Sequence, residues 1–291
     1  MSTTNLVHNQ RAPQNNHRPR KTRKHRRWSS PATILSLIVL AIAALWAIVP
    51  GIFAPHDPYN GVDVALLAPN GEYIFGTDAV GRDLFSRVVY GARQSLLGAL
   101  IAVAVGLVLG TLIGLIAGTQ RGWVDTVLMR LVDVLLAIPG ILLSLSIIIV
   151  TGFGSLQAAF AVGMTSVATF ARLARSQVIQ IAGADFVEAA YGSGATQAQV
   201  LFRHVLPNSL TPVLALAALQ FGTAILQLSI LGFLGYGAPP PTPEWGLLIA
   251  EGRDFMATAW WLILLPGLAI VATVMSANHL SQVIQQEGDV K

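Results

Sequence analysis

Apolar residues in this chain gather into six long runs, at approximately 32–53, 95–118, 124–150, 155–181, 206–235 and 259–284, with polar stretches between them. Each run is about as long as, or longer than, the ~20 residues a helix needs to cross hydrocarbon, and 96–117 carries no charge at all. Backbone polar groups in lipid have only one another as partners, so runs of this length predict helices. The pattern specifies an all-α, polytopic membrane protein with six transmembrane helices. The first run reads as a true span and not as a cleaved signal. Its basic region is too long, its apolar core reaches spanning length, and it ends in Pro50-Gly51-Ile52-Phe53 where a small-x-small cleavage site would be needed.

The polar stretches divide the rest. Residues 1–30 form a basic tail, 31–53 the first helix, and 54–94 a long extracytoplasmic segment with turn signals at His56-Asp57-Pro58, Pro69-Asn70-Gly71 and Gly76-Thr77-Asp78. A five-helix core follows over 95–284, with a cytoplasmic loop at 182–205 and an external loop at 236–258, and 285–291 close the chain as a short cytoplasmic tail. Eight of the 18 Lys/Arg lie in residues 1–30, where there is no acid; setting them aside leaves 10 against 14 Asp/Glu, so the net charge of +4 belongs to the tail. Lys/Arg bias keeps such a tail inside, which places both termini in the cytoplasm. The tail reads as a disordered, cytoplasm-retained segment, with anionic-lipid binding as the alternative. With no folded platform and no interleaved aromatics, it does not read as a nucleic-acid site.

Two features bear on packing within the membrane. Gly106, Gly110, Gly114 and Gly118 recur every four residues and so share one helix face. Small-xxx-small spacing lets helix backbones approach closely in lipid. Packing within the chain is the simpler reading, and a partner-subunit interface the other. Pro139 removes a backbone hydrogen bond and is expected to kink the third helix.

Composition then narrows the chemistry. The chain is 54% hydrophobic and only 11% charged, against about 45–50% and 25% in soluble domains, which excludes an ordinary soluble enzyme. Cysteine is absent, and with it disulfides and thiolate-bound metal. The three lysines, Lys21, Lys24 and Lys291, all lie in the tails, so no phosphate-binding loop can be built and the chain is not itself an ATPase. The six histidines show no metal-ligand spacing, and Gly192-Ser193-Gly194 lacks the fuller nucleophile elbow. Neither a resident metal nor a cofactor is expected. Asp133, the deepest acid, lies three residues beyond Arg130 and is expected to pair with it locally at the membrane interface. Without a buried acid, ion coupling loses its main physical support, although an ion-coupled secondary transporter is the rival from another class.

The loop before the fifth run carries the most information. Asp185 and Glu188 favour a helix start, Gly192 and Gly194 break that helix, and Thr196 can cap a second one. In the second piece Val200, Leu201, His204 and Val205 share one side. Two short helices joined by a glycine bend make a compact protrusion that a soluble partner could cover, or alternatively a turn folded back on this chain.

This loop resembles the EAA motif of bacterial ABC importer permeases: Glu188-Ala189-Ala190, then Gly194, then Leu206-Pro207. Three further stretches resemble the C-type permease of the dipeptide/oligopeptide/nickel importers. They are Phe75-Gly76-Thr77-Asp78 with Gly81-Arg82-Asp83-Leu84 and Ser86-Arg87; Leu231-Gly232-Phe233-Leu234-Gly235-Tyr236-Gly237; and Pro241-Thr242-Pro243-Glu244-Trp245-Gly246. The basic tail has no counterpart in that pattern, Tyr191-Gly192-Ser193 departs from its usual filling, and Asn278-His279-Leu280-Ser281-Gln282 from its usual ending. The resemblance implies a type I ABC importer permease in a bacterial cytoplasmic membrane. Its partners would be a second permease, two cytoplasmic ATPase subunits that bind ATP and magnesium, and an extracytoplasmic substrate-binding protein. Glu188, Ala189, Ala190, Gly194, Arg203, Leu206 and Pro207 would couple to an ATPase, Glu188 through its charge or as a helix cap. Dipeptides or oligopeptides are the expected cargo, with nickel or glutathione as alternatives.

Overall fold

The computed structural model describes residues 30–288, apart from Val62 and Arg121. The basic tail up to residue 29 and the last three residues of the C-terminal tail lie outside the described residues. Helix α1 (Pro31–Ile48) begins where Ser30 Oγ accepts from Thr33 N at 3.2 Å, with Pro31 supplying a preset φ at the first position. A single turn, α2 (Pro50–Phe53), follows, and then the long α3 (Leu84–Gln120). Next come α4 (Trp123–Ala137), α5 (Gly140–Thr151) and α6 (Ser155–Ala182). Two short helices, α7 (Asp185–Gly192) and α8 (Gln197–Val200), lead through a π turn (Leu201–Val205) into α9 (Leu206–Phe233). Helix α10 (Trp245–Gly252), a 3₁₀ turn (Arg253–Phe255) and α11 (Trp261–Gly288) complete the described chain.

Five helical stretches are long and apolar enough to cross a bilayer: α1, α3, α6, Gln197–Phe233 and α11. The sixth crossing is α4 with α5, and these turn through 99° at Ile138-Pro139. The sequence predicts a kinked helix here, and the structure shows a break. The reason is local: Pro139 has no N–H to donate and its ring excludes Ile138 from the helical region, leaving Ile138 extended at φ −90°, ψ 129°.

Direction can be read from the contacts. Positions 106, 110, 114 and 118 of α3 meet residues 163–178 of α6 in ascending order, so the two helices run parallel. The chain leaves α3 at one membrane face and enters α6 at the other, and the broken pair α4–α5 therefore has to carry it across. Helix α9 returns antiparallel to α6, with Val213 beside Phe170 and Ala174. Helix α11 is antiparallel to α9, with Asn278 against Gly222 and Ser281 near Ala215. Thr33 Oγ1, at the start of α1, lies 3.2 Å from His279 Nε2 near the end of α11. The chain thus makes six crossings, and the start of α1, the end of α11 and the loop after α6 share one face.

The α3–α6 pair is the most extensive helix contact in the chain. A β-carbon on Gly110 would lie 2.5 Å from Phe170 Cβ and 2.6 Å from the Val167 carbonyl oxygen; one on Gly114 would lie 2.5 Å from the Ala171 oxygen. All four glycines of the stripe are buried here, so their role is packing within the chain. Gly163 reciprocates from α6, facing Val105 and the Ala102 carbonyl.

Helix α3 also starts eleven residues before the apolar run that announces it. Asp83 caps it, accepting from Phe85 N at 3.3 Å and from Ser86 N at 3.0 Å, and its first turns pack through Leu84 and Val88 into the end of the core opposite the loop after α6. The external segment expected over 54–94 therefore gives up residues 84–94 to the helix. Similarly, α11 continues to Gly288, past the expected end at 284.

Replacing Gly110 with Val should cost about 1–3 kcal/mol through overpacking and lower the melting temperature of the detergent-solubilised chain. Gly267→Ala, where a β-carbon meets nothing within 4 Å, should leave the melting temperature unchanged or raise it.

Candidate coupling loop and outer clamp

The loop after α6 is built from two helices held by one small core. Helix α7 begins with Asp185 and Glu188 in its first turn, where negative charge suits the helix dipole. It ends at Gly192, and Gly194 at φ +88° reverses the chain, a conformation in which glycine carries no steric penalty. Thr196 then caps α8 reciprocally: its side chain accepts from Gln199 N at 3.3 Å while Gln199 Oε1 accepts from Thr196 N at 2.9 Å. Val187, Val200 and Val205 bury themselves against Val178 of α6, with Leu115 of α3 at the edge. Phe186 and His204 lie with ring centroids 6.3 Å apart and join α7 to the π turn.

The seven residues expected to couple stand differently in this arrangement. Glu188, Ala189, Gly194, Arg203 and Pro207 are exposed, while Ala190 and Leu206 are half-buried, Ala190 against the valine cluster. Glu188 caps nothing: Ala184 occupies the N-cap of α7 without a side-chain bond, and the Glu188 carboxylate has no partner among the described residues. Phe186, Tyr191 and Phe202 expose large aromatic faces on the same protrusion. A cleft of about 650 Å³ opens between the loop and the end of α3, lined by Thr119, Tyr191, Gln197, Leu201 and Phe202 among others.

Two ion pairs fasten α4 to α6 toward the loop end. Arg175 holds Asp125 with two bonds, Nε to Oδ1 at 2.5 Å and Nη2 to Oδ2 at 2.6 Å. Asp133 accepts from Arg172 Nη2 at 2.5 Å, on an exposed surface. Its partner is thus across the helix pair, and the local pairing with Arg130 expected from sequence spacing does not form.

At the opposite face a second set of residues forms a clamp. Asp78 Oδ1 accepts from the N–H groups of Val80 and Arg82, both at 2.9 Å, and Oδ2 accepts from Arg82 Nε at 2.7 Å and Arg87 Nη1 at 2.6 Å. Arg87, whose side chain is fully buried, also donates to Glu251 Oε2 of α10 at 2.7 Å. Burial alone would raise the Asp78 pKa, but the two N–H bonds and the two arginines outweigh it and hold the carboxyl below the ordinary value. Trp261, at the head of α11, donates from Nε1 to the Thr77 carbonyl at 3.4 Å. One set of contacts therefore joins the start of α3 to α10 and α11.

Glu244 anchors the loop between α9 and α10. Buried as the N-cap of α10, it accepts from Gly246 N at 2.9 Å and Leu247 N at 3.1 Å, and Ser95 Oγ of α3 donates to it at 3.4 Å. Gly232 of α9 has no side chain because the Glu244 carboxylate occupies that space, and Gly246 likewise rests against Ser229. Trp245, fully buried, donates from Nε1 to the Val88 carbonyl at 2.9 Å. Desolvation pushes the Glu244 pKa up to about 7 despite these bonds.

Comparison with known proteins agrees with this architecture. Residues 110–286 match the family model for the binding-protein-dependent transport system inner membrane component. The chain belongs to this family. It is 40% identical over 258 residues to the dipeptide transport system permease protein of Alkalihalophilus pseudofirmus, covering 89% of this chain and 83% of that one. Over 264 residues it is 37% identical to a probable D,D-dipeptide transport system permease protein of Escherichia coli, covering 90% and 88%. It is also 39% identical over 271 residues to a glutathione transport system permease protein of Shigella sonnei, covering 92% and 88%. Among solved structures, an inward-facing MetNI methionine ABC transporter aligns with a TM-score of 0.55 at 16% identity, over 68% of this chain and 96% of that chain. The fold is that of type I ABC importer permeases.

Within this inner membrane component, sequence reasoning picked out the stretches around Asp78 to Arg87 and around Glu244 by resemblance, without assigning their residues. The signal was present. Asp78 and Arg82 stand four apart, Arg87 follows five residues later, and an acid directly precedes Trp245-Gly246. Charge so close to apolar runs needs a partner, and for Arg87, Asp78 and Glu251 supply it.

Arg87→Met leaves Asp78 and Glu251 with Arg82 as their one remaining counterion and should cost about 3–5 kcal/mol, whereas Arg253→Met, at an exposed pair, should change stability by less than about 1 kcal/mol; chemical denaturation in detergent measures both. Glu244 gives a pH signature. A carboxyl with its folded pKa raised to about 7 from 4.5 makes the native state the better proton binder, so stability falls as pH rises across that interval. Glu244→Gln should flatten the difference in melting temperature between pH 5 and pH 8.

Proposed function

We propose that this chain is one of two membrane subunits lining the path of an ATP-driven importer of di- and oligopeptides in a bacterial cytoplasmic membrane. The observation that carries this reading is 37–40% identity, over more than four-fifths of their length, to relatives named for dipeptide transport. The relative named for glutathione transport, at 39%, supports glutathione as a second cargo in preference to nickel. Placement in this family displaces the ion-coupled secondary transporter, and the exposed Asp133–Arg172 pair provides no buried relay for one.

The face bearing the 183–205 loop is the cytoplasmic one in this reading. The basic tail adjoins the start of α1 on that side, as Lys/Arg bias favours. The opposite face carries Arg82, Arg87, Arg93 and Arg253 against eight acids. A second permease, two ATPase subunits that bind ATP and magnesium, and an extracytoplasmic binding protein complete the machine. Glu188, with an unpaired carboxylate, and Arg203 offer charge to an ATPase groove, and Ala189 and Gly194 allow close approach. Ala190 and Leu206 hold the loop from within, and Pro207 opens α9. When nucleotide draws the ATPases together, the valine cluster passes the displacement to the ends of α3 and α6. Transport is then a shift between two packings, driven by differential binding of the partners.

Gly194 gives the sharpest test. Nothing within 4 Å would obstruct a side chain there, yet its φ of +88° strains any β-branched residue. In the complete transporter, Gly194→Val should reduce substrate-stimulated ATP hydrolysis at least five-fold while leaving membrane insertion intact. Gly194→Asn, which tolerates that conformation, should retain most of it. Equal stimulation in the wild type and the Val variant would remove the loop from this role, as would failure of ATPase subunits to co-purify in mild detergent.

A further inference from the structure

The break between α4 and α5 lies beside a polar pair that the outer clamp and the loop leave unused. Gly140, the first residue of α5, faces α6 and α9. A β-carbon on it would stand 3.7 Å from Gln227 Nε2 and 4.0 Å from Thr165 Oγ1. At 1.5 Å per residue, Gly140, Thr165 and Gln227 lie about 17, 15 and 9 Å inside the outer ends of their helices, within the hydrocarbon depth. Thr165 spends its hydroxyl proton on the Val162 carbonyl at 2.7 Å, so its 3.5 Å contact with Gln227 Oε1 is marginal. The amide of Gln227 has no other partner among the described residues, and the side chain is only half-buried. Pro139 caps α5 without a side-chain bond, and the N–H groups of Gly140, Ile141 and Leu142 find no acceptor among the described residues.

Bare amide groups and irregular backbone at this depth persist only where they line a water-filled cavity or are covered by protein. We infer that Gln227, with Thr165 and the backbone at the α4–α5 break, forms a polar station of the translocation path that exchanges hydrogen bonds with the main-chain amides of the cargo. The inference rests on the peptide reading above. An amide side chain offers one acceptor and two donors, the complement of an extended peptide backbone. Among the described residues, no ion pair or hydrogen bond joins the station to a charged side chain, and no cluster of metal-ligating side chains occurs. Recognition there is indifferent to the identity of the peptide side chains.

The chain contains no cysteine, which permits a direct test in the reconstituted transporter with all its subunits. Gln227→Cys and Thr165→Cys should react with a membrane-impermeant, water-soluble thiol reagent at least ten times faster than Leu35→Cys on the exposed face of α1. Saturating alanyl-alanine should slow that reaction at least three-fold. Gln227→Leu should lower alanyl-alanine uptake at least five-fold, and Gln227→Asn should restore part of it. Uptake of alanyl-alanine by the wild type, together with unreactive cysteines at 227 and 165 or unimpaired uptake by Gln227→Leu, overturns the station while leaving the peptide reading intact. A wild-type transporter that takes up no di- or oligopeptide overturns that reading, and the assignment of main-chain amides with it.

Discussion

Apolar side chains gain little by turning from lipid toward one another, so helices in a membrane must attract by close packing of their backbones. Helices α3 and α6 do this through Gly106, Gly110, Gly114 and Gly118, each set where a methyl group would collide with the neighbouring helix. The contact is parallel, and parallel neighbours cannot be joined by a short turn. The chain has to return across the membrane between them, and the broken pair α4–α5 performs that return. The valine cluster beneath the loop depends on the same contact, since Val178 continues the α6 face that Gly118 meets and Leu115 lies one turn earlier on α3.

Charge at the face opposite the loop obeys a different constraint. Arg87 is buried without exposure and is tolerable there because two carboxylates share it. Such a network contributes little net stability over an apolar core of the same volume. Its geometry, however, is specific: Asp78 is fixed by two N–H groups, Arg87 by its helix, and Glu251 by α10. The result ties three elements at one position. Glu244 does the same for α9 and α3, with Gly232 and Gly246 left small to admit it. The motifs around Asp78 to Arg87 and around Glu244 are therefore packing instructions.

Hydropathy made most of the architecture legible, because crossing hydrocarbon leaves a length signature that propensity cannot blur. The glycine spacing gave the face of α3, and Asp185, Gly194 and Thr196 gave the two-part loop down to its capping residue. Other features escaped for physical reasons. The first eleven residues of α3 include Arg87 and Arg93, which lower local hydropathy although Arg87 is buried by pairing. Asp133 found Arg172 in place of Arg130 because helix packing brings α6 closer than the local turn allows. Pro139 announced a disturbance, but the size of the turn depends on how α4 and α5 each lie against α6. Glu188 was expected to serve as a cap or a contact, and only its bare carboxylate, free for a partner, is visible.

Helix α3 spans 37 residues without interruption, about 55 Å, so it stands well beyond both edges of a hydrocarbon layer about 30 Å thick. Arg87 sits near one tip and Leu115 near the other. A contact at one face that favours one tilt of this rod therefore favours it at the other face as well, with no break in the helix between them. By thermodynamic linkage the dependence runs equally in both directions, so a partner that prefers one tilt at the Leu115 tip would alter affinity at the Arg87 tip.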